Sequence, residues 1–368
     1  MENLGLSMID QNFWKGKRVF LTGHTGFKGS WLSLWLSSLD VIVRGYSLNP
    51  PTAPSLFEEM NIADLIDSKI GDIRDLGKLK KSMLDFNPDI LIHMAAQPLV
   101  RYSYESPVET YEVNVMGTVN VLEAARSCSN LKAIVNITTD KCYENEEWDR
   151  GYKEEDPMGG HDPYSSSKGC AELVTSAYRR SFLKAQDIGL ASVRAGNVIG
   201  GGDWAKDRIV PDIVRSFSKD EILSIRAPNA TRPWQHVLEP LSGYLTLAKM
   251  QTKKESINHE SFNFGPRQDV NQNVLRLVEE FSKYWDSGSW RVHENNAKPE
   301  AGLLKLNCDK AQAMLDWKAI LSFEETIKFT GEWYKTYFEE EVDLYDFTIR
   351  QINEYSQKAK KQGLKWTE

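Results

Sequence analysis

With 368 residues, 41% of them hydrophobic and 26% charged, the chain can form one large globular α/β domain or two domains that share a cleft. Its net charge of −7, without a basic block before the extreme C-terminus, argues against a nucleic-acid partner. The four widely spaced cysteines predict neither a metal site nor a disulfide framework, and the lack of a signal pattern or bilayer-length apolar run predicts a cytoplasmic protein without a membrane partner.

The first predicted element is a buried strand at 18–22, which is followed by a glycine-rich turn and a helix over 30–39. In such a turn the first glycine permits a sharp exit from the strand and the second lets the backbone approach a pyrophosphate. The third lets the helix lie close to the sheet. The phosphates then face the free N–H groups at the helix N-terminus. The sequence therefore predicts a dinucleotide site that includes Gly23, Thr25, Gly26, Phe27 and Gly29.

The second predicted strand, 41–46, lacks the acidic residue that commonly holds the adenosine ribose of NAD. Ser47 takes its place, and Arg44 could accept the 2′-phosphate of NADP or simply lie on the surface. The choice between NAD and NADP therefore stays open. A third strand is followed by Asp72 and Ile73, which are placed to bind and cover an adenine; the alternative for Asp72 is a helix N-cap.

Strands and helices continue to alternate up to Arg194, which predicts a Rossmann-type, doubly wound parallel sheet. At the end of the strand 90–94, where ligands bind to such sheets, the chain carries Ala95, Ala96 and Gln97. The other elements predicted in this part are a helix over 76–86, a helix over 108–126 that contains Asn114, a strand at 133–138, a helix over 164–184 and a strand at 190–194.

Two short motifs offer acid–base chemistry. Thr139, Asp140 and Lys141 place a hydroxyl, a carboxylate and an amine at the ligand edge of the sheet; the alternative is an ordinary turn with an Asx-type hydrogen bond. Tyr164 and Lys168 are four residues apart and share one face of a helix, as any surface pair could. A lysine ammonium near a phenol lowers the pKa of the tyrosine, so that it can take a proton from an alcohol and return it.

Beyond Ala195 the alternation of strands and helices ends, and we expect a smaller α/β C-terminal domain there. We expect residues 1–195 to form the dinucleotide domain, with 235–262 returning to it. Residues 196–234 and 263–340 would form the second domain and 341–368 a C-terminal tail, in which the charge run 358–361 is expected to be solvated. Arg194, Arg208 and Arg232 could converge on phosphates, because arginine makes bidentate phosphate contacts, or could be surface salt-bridge residues. The elements expected here are helices over 207–215, 241–250, 273–285 and 323–338 and short strands at 262–264 and 303–306.

From about residue 16 to 334, these motifs stand in the order of the extended short-chain dehydrogenase/reductase family, which the sequence resembles. Within that family, the Thr-Asp pair resembles the sugar-nucleotide 4,6-dehydratases, of which the enzymes for dTDP-sugars carry glutamate at the position of Lys141. The lysine, together with residues 195–204, 207–212 and 232–236, is similar to the CDP-glucose 4,6-dehydratases. Those enzymes make CDP-4-keto-6-deoxyglucose for dideoxy sugars of bacterial surface polysaccharides.

The resemblance implies a Rossmann domain with a smaller α/β C-terminal domain that covers the sugar nucleotide. It also implies a lyase that uses NAD, binds CDP-glucose and forms a dimer or a dimer of dimers through the helices 108–126 and 164–184. Tyr164 would take the C4 hydroxyl proton, with Lys168 supporting the phenolate and Thr139 the oxyanion, while a hydride passes from C4 to the cofactor. Asp140 as acid and an uncharged Lys141 as base would then remove water across C5 and C6, and the hydride returns to C6. The residues expected on the substrate are Gln97, Arg101, Asn197, Arg208, Arg232 and His236; Tyr164 and Lys168 would also contact the cofactor.

Two alternatives stay open. A sugar-nucleotide 4-epimerase would share the tyrosine and the lysine, but it needs no acid–base pair for elimination, so Asp140 and Lys141 argue against it. A non-catalytic, cofactor-sensing regulator of the same fold typically lacks the tyrosine or the lysine, and this chain has both.

Overall fold

A computed structural model describes residues 10–225, 227–253, 257–267, 270–285, 288–292, 304–339 and 341–368. Its centre is a sheet of seven strands, in which every pairing is parallel. Across the sheet the strands follow the order 261–263, 189–194, 133–137, 90–93, 18–22, 42–47 and 67–70. The Rossmann-type prediction is therefore confirmed. The strands of this sheet are β1 (Arg18–Thr22), β2 (Ile42–Ser47), β3 (Asp67–Ile70), β4 (Ile90–His93), β5 (Ala133–Ile137), β6 (Gly189–Arg194) and β11 (Ser261–Asn263).

Three two-stranded ladders lie outside this sheet. They are β7 (Val198–Ile199) with β10 (Gln235–His236), β9 (Thr231–Pro233) with β12 (Asn271–Asn273), and β8 (Leu223–Ile225) with β13 (Trp290–Val292). Of the strand predicted at 303–306, the described part forms a single bridge between Leu306 and Tyr152, and residue 303 lies outside the described residues.

Helices cover both faces of the sheet, and several are longer or shorter by a few residues than predicted. A π-helical turn at Glu112–Met116 joins the helices 107–111 and 117–125. A second π-helical turn, at Arg179–Leu183, prolongs the helix 163–178. The helices are α1 (Gln11–Trp14), α2 (Phe27–Ser38), α3 (Leu56–Glu59), α4 (Ile62–Leu65), α5 (Leu76–Phe86), α6 (Val100–Glu105), α7 (Pro107–Tyr111), α8 (Gly117–Ala125), α9 (Pro163–Tyr178), α10 (Ile209–Phe217), α11 (Leu238–Gln251), α12 (Val274–Ser282), α13 (Asp309–Leu315), α14 (Phe323–Glu339) and α15 (Leu344–Lys361).

The alternation of side chains along each strand explains why the sheet is covered on both faces. Val19 and Leu21 belong to one large apolar cluster, whereas Phe20, which lies between them, belongs to a second cluster on the other face. Strands that are apolar on both faces must be buried on both, as in doubly wound sheets. The carboxyl ends of the strands are therefore the part of the sheet left for a ligand.

Residues 341–368 are not a solvated tail, and this prediction was wrong. They form α15, whose Tyr355 packs edge-on against Trp35 of α2 at a centroid distance of 6.0 Å and donates its hydroxyl proton to Glu239 of α11 at 2.7 Å. The lysines in its last turn suggested a solvated segment, but the helix also has an apolar face that includes the buried Ile352 and Ala359. This amphipathic pattern, and not the charge run, decides the structure. The proposed division into two domains stays a prediction.

No helix in the described part of the chain is both long and apolar enough to cross a bilayer. Within the same ranges, no group of histidine, cysteine, aspartate and glutamate side chains is arranged to hold a metal ion. The four cysteines are free.

Candidate active site

The glycine-rich turn between β1 and α2 has the geometry that its sequence predicts. Gly23 has a φ of 79°, and a Cβ there would lie 2.7 Å from the backbone nitrogen of Ala95. A Cβ on Gly29 would lie 2.0 Å from the carbonyl oxygen of Gly23, so only glycine lets α2 pack this close to the turn. Gly26 is the N-cap of α2, and no side chain of the described residues caps Phe27 and the rest of the first turn. Those amides therefore remain for an anion.

At the end of β2, the structure separates the two residues that were considered for the ribose. The hydroxyl of Ser47 is 2.9 Å from that of Thr25, which also donates to the carbonyl oxygen of Leu48 at 2.9 Å, so Ser47 borders the glycine turn. Arg44 instead pairs with Asp67 on β3 at 2.5 Å and donates to the carbonyl oxygen of Ser82 at 3.1 Å. The expectation that Arg44 could receive a 2′-phosphate is therefore not supported, because its guanidinium is already engaged.

The pair expected near an adenine lies after β3. The carboxylate of Asp72 accepts hydrogen bonds from the backbone of Arg74 at 2.8 Å and from its guanidinium at 2.6 Å, and this contact holds the pKa of Asp72 below its usual value. Ile73 is buried next to it. The N-cap of α5 is Asp75, not Asp72. The N-cap alternative for Asp72 was therefore wrong.

The loop after β4 is tied to two helices. The backbone nitrogen of Ala95 donates to Thr22 at 3.1 Å, and Ala96 follows half-buried. Asn114, in the π-helical turn, exchanges hydrogen bonds with the backbone of Gln97 at 2.9 and 3.1 Å and donates to Ser167 of α9 at 2.9 Å. The side chain of Gln97 is itself bonded to Leu99 in the loop and to Thr110 of α7. Asn114 therefore fixes this loop relative to α9.

Tyr164 and Lys168 lie in the first turns of α9, which Asp162 caps through the backbone nitrogen of Ser165 at 2.9 Å. Both side chains are buried. Burial raises the pKa of Tyr164 to about 12, against a hydrogen bond to Thr139 that lowers it. Burial also lowers the pKa of Lys168 to about 8. The sequence predicts a tyrosine pKa lowered by the lysine, and in this state of the protein the direction is the opposite, because desolvation outweighs the neighbouring charges.

At the end of β5, Thr139 is the N-cap of a 3-10 turn over Asp140–Cys142, so a turn does form, capped by a threonine hydroxyl and not by an Asx-type hydrogen bond, and the role of the motif in the site stays a prediction. Thr139 donates to Asp140 at 3.0 Å. Asn197, which has a φ of 52°, donates to the other oxygen of the same carboxylate at 3.4 Å. Asp140 is buried, and a Cβ on Gly196 would lie 1.8 Å from it. The carboxyl group is therefore enclosed at the edge of the sheet, whereas Lys141 stays half-buried.

Two of the predicted substrate arginines reach the vicinity of this edge. Arg208 is paired with Asp203 at 2.8 Å, and its charge lowers the pKa of Tyr164. Arg101, on α6, is paired with Asp207 at 2.5 Å, which joins α6 to the segment that leads into α10. Arg232 is on β9, where it donates to the carbonyl oxygen of Thr231 at 2.9 Å.

Two other predictions are corrected by burial. His236 is fully buried between Trp31 and Phe329, with centroid distances of 5.8 and 5.4 Å, and burial lowers its pKa to about 3. It is a core residue and not a substrate ligand. Arg194, which was considered for phosphate binding, is also buried and pairs with Glu172 at 2.9 Å. Polar side chains in strands adjoining a core were mistaken for ligand contacts because the sequence does not show which face of the strand they occupy.

Lys28 is a residue of the site that the sequence analysis overlooked. It follows Phe27 in the first turn of α2, and its ammonium is 6.0 Å from the ring centroid of Tyr244. Burial lowers its pKa to about 8, and the charges of Lys168 and Arg208 act in the same direction. The signal that could have found it is a lysine inside a glycine motif that faces the ligand edge.

Comparisons with known proteins agree with this geometry. A sequence model of the GDP-mannose 4,6 dehydratase family matches residues 20–330. The CDP-glucose 4,6-dehydratase of Salmonella typhimurium is 54% identical over 95% of this chain and 98% of its own. An epimerase of Methanothermobacter thermautotrophicus has a similar structure, with a TM-score of 0.77 at 21% identity over 94% of this chain and 97% of its own. The dTDP-glucose 4,6-dehydratase of Bacillus anthracis, solved with NAD, has a TM-score of 0.73 at 19% identity over 88% and 98%.

The structural likenesses show the fold alone, which this chain shares with an epimerase and with a dehydratase. The sequence likenesses reach further, since one relative is more than half identical over nearly the whole chain. The chain therefore belongs to the sugar-nucleotide 4,6-dehydratase family. The family resemblance predicted from the motifs is confirmed.

Proposed function

We propose that the protein converts CDP-glucose into CDP-4-keto-6-deoxyglucose and water, by moving a hydride from C4 to C6 of the same sugar. The observation that carries this proposal is the position of the Thr139 hydroxyl, which acts on the phenol of Tyr164 by lowering its pKa and donates to Asp140 at 3.0 Å. The hydroxyl of Thr139 therefore links Tyr164, which is suited to the oxidation step, with Asp140, which is suited to the loss of water. The 54% identity to the Salmonella CDP-glucose 4,6-dehydratase supports the same reaction.

The residues around the glycine turn fit NAD. The uncapped first turn of α2 suits a pyrophosphate, and the close packing at Gly29 keeps the helix N-terminus beside it. Arg44 is held by Asp67, which favours NAD over NADP. When bound, NAD supplies a ring that accepts the hydride from C4 and returns it to C6. No net redox change results, so the site has to retain the cofactor throughout a turnover.

In the oxidation step, Tyr164 takes the proton of the C4 hydroxyl. Thr139 stabilises the oxygen on which negative charge develops, because its hydroxyl already favours the charged form of the neighbouring phenol by lowering the pKa of Tyr164. Lys168, with a pKa of about 8, is largely charged at neutral pH and stabilises the phenolate. Arg208 adds a second positive charge that favours the phenolate.

In the elimination step, Lys141 removes the C5 proton in its uncharged form, and Asp140 in its protonated form gives a proton to the departing C6 hydroxyl. Asp140 is enclosed by Gly196 and Asn197, which fixes its direction. Lys141 is half-buried at the rim, where it can exchange protons with water. An epimerase would need only the oxidation residues, so the enclosed carboxyl group beside them favours the dehydratase.

The protein incubated with CDP-glucose and NAD should form a sugar that develops the ultraviolet absorbance of 4-keto-6-deoxy sugars in alkali. dTDP-glucose and UDP-glucose, offered at the same concentration, should react more slowly. A product that is instead the C4 epimer, identified by chromatography of the released hexose, would replace the dehydratase by the epimerase. If none of the three sugar nucleotides reacts, the proposed reaction is wrong, and the protein would be a cofactor-binding protein without this activity.

We also expect two or more copies to associate through the helices predicted at 108–126 and 164–184, which correspond to α7, α8 and α9. Large apolar side chains on these helices are exposed, among them Val108 at 71% and Leu173 at 64%. Several large apolar side chains exposed on neighbouring helices are typical of an interface. Light scattering on the wild type should give at least a dimer, and Val108→Glu with Leu173→Glu should give a monomer; a wild-type monomer would exclude the interface. The cytoplasmic location stays a prediction.

A further inference from the structure

A buried ion pair lies directly beneath the candidate site, between α9 and β6. Glu172 is one helical turn beyond Lys168, and it faces Arg194; the two side chains are 5% and 3% exposed. The contact is bidentate, since Arg194 Nε donates to Oε1 at 3.0 Å and Nη2 donates to Oε2 at 2.9 Å. Such a pair has a defined geometry and leaves an unpaired buried charge when either partner moves. It is therefore a rigid point in this part of the molecule.

The turn that carries residues 139–141 is tied to this pair at both ends. Just before the turn, the hydroxyl of Thr138 donates to Glu172 Oε1 at 2.5 Å. Just after it, the hydroxyl of Tyr143 accepts a hydrogen bond from Arg194 Nη1 at 2.6 Å. All four side chains are buried, so water does not compete for these contacts.

We infer that Thr138 and Tyr143 are positioning residues for the elimination step, because they hold the 139–141 turn against the Glu172–Arg194 pair. The inference rests on the proposed function. Neither hydroxyl is assigned a contact with the sugar; each acts through the backbone of the turn that presents Asp140 and Lys141. The same pair also favours the charged form of Lys168, since the negative charge of Glu172 raises the pKa of that lysine against the effect of burial.

In a variant that lacks either hydroxyl, the decrease in rate should fall mainly on the elimination step. Tyr164 and Lys168 belong to α9, whose own backbone hydrogen bonds and Asp162 cap hold them in place. The 139–141 turn has only a short 3-10 hydrogen-bond pattern of its own, so it depends more on side-chain contacts at its ends. A shift of about 1 Å in a reacting group can lower a rate by about 10²-fold. Removing either hydroxyl should thus slow the loss of water, which uses both Asp140 and Lys141 of the turn, more than the first hydride transfer, which uses only Thr139 of the turn.

Thr138→Val and Tyr143→Phe each delete one hydroxyl and keep the shape of the side chain. A matched control is Thr175→Val, which deletes a buried hydroxyl on α9 that accepts from Asn136 at 2.7 Å and does not touch the turn. Each variant is loaded with NAD and mixed with CDP-glucose. Product is measured in alkali, reduced nicotinamide by its near-ultraviolet absorbance, and the melting temperature by circular dichroism.

We expect both variants at the turn to form product about 10- to 10²-fold more slowly than wild type and to accumulate reduced nicotinamide. The melting temperature of Thr175→Val should fall by a similar amount, but this variant should not accumulate reduced nicotinamide. Thr138→Ser keeps a hydroxyl at this position, so its rate of product formation and its level of reduced nicotinamide should match those of the wild type. If the wild type forms product and both turn variants behave like Thr175→Val, the positioning role is overturned while the proposed function stands. A wild type that forms no product from CDP-glucose overturns the proposed function itself.

Discussion

The hydroxyl of Thr139 lies close enough to the phenol of Tyr164 to lower the pKa of that tyrosine. This contact joins the first turn of α9 to the end of β5, two segments that are 25 positions apart in the sequence numbering. Because the same hydroxyl donates to Asp140 at 3.0 Å, the proposed oxidation and elimination groups form one connected set. A proton relayed along it would not have to leave the site.

Replacing Tyr164 with phenylalanine should abolish turnover and leave substrate binding nearly unchanged. The ring and its packing are kept, whereas the group that accepts the C4 proton is lost, a contribution on the order of 10²–10⁴-fold. The rate of 4-keto-6-deoxy sugar formation and the affinity for CDP-glucose by calorimetry check this expectation. Tyr178→Phe, at a half-buried tyrosine near the end of the same helix, is the matched control. A Tyr164→Phe enzyme as fast as the control would remove Tyr164 from the mechanism.

The glycine turn could be predicted from the sequence because its requirements are local. Gly23 needs a positive φ and Gly29 needs close packing, and both needs follow from a strand that runs directly into a helix. The tyrosine–lysine pair could be found for the same reason, since spacing along one helix decides whether two side chains share a face.

Burial could not be predicted in the same way. His236 and Arg194 are polar residues near the ligand edge by sequence, but the packing of Trp31 over one and the approach of Glu172 to the other place both in the core. The sign of the pKa shift of Tyr164 was missed because it depends on desolvation, which only the assembled site defines. Lys28 was missed because it lies near Lys168 only after α2 and α9 are placed around the sheet.

Replacing Lys28 with methionine should change the relative affinity for the two redox forms of the cofactor. The ammonium lies within electrostatic reach of Lys168 and Arg208, so the site holds several positive charges. The oxidised nicotinamide ring is itself positive and the reduced ring is neutral. Removing one charge should therefore favour NAD over its reduced form by roughly 3- to 10-fold, the scale of one partly screened charge contact. Titration of both forms into stripped protein measures this ratio, with the exposed Lys78→Met as control. A ratio equal to that of the control would mean that Lys28 lies too far from the ring to act on it.

Glu239 should make the stability of the protein fall as the pH rises. Its carboxyl group is buried, and it accepts hydrogen bonds from Tyr355 at 2.7 Å and from the backbone nitrogens of Ile320 and Leu321 at 2.9 and 2.7 Å. Burial raises its pKa from 4.5 to about 7. The folded state therefore keeps the proton longer than the unfolded state does. The resulting stabilisation is complete below pH 4.5 and is lost as the pH rises through about 7.

The size of this effect is on the order of 3 kcal/mol, since each pKa unit corresponds to about 1.4 kcal/mol. Glu239→Gln removes the titration, so its free energy of unfolding should vary less between pH 5 and pH 7 than that of the wild type. Denaturant unfolding at the two pH values measures the difference. The exposed Glu324→Gln, which bonds only at the surface, should retain the wild-type slope. Parallel slopes for Glu239→Gln and wild type would assign the pH dependence to other groups.

The double variant Asp140→Asn with Lys141→Met should separate oxidation from elimination. Asparagine keeps the shape and the hydrogen-bonding capacity of the aspartate but has no carboxyl proton to transfer, and methionine removes the amine that would act as base. Tyr164 and Lys168 are untouched, so the C4 hydride can still leave the sugar. The loss of water should slow by at least about 10²-fold, the lower end of what positioned acid–base groups contribute.

Mixed with CDP-glucose, this double variant should therefore accumulate reduced nicotinamide, seen by its near-ultraviolet absorbance, and form little 4-keto-6-deoxy product. The wild type should show no lasting accumulation, because its cofactor is reoxidised in every turnover. Tyr164→Phe in the same background should abolish the absorbance, which shows that the accumulated signal comes from oxidation at C4. If the double variant forms product at the wild-type rate, groups elsewhere in the site carry out the elimination. The argument from Asp140 and Lys141 against an epimerase would then be lost.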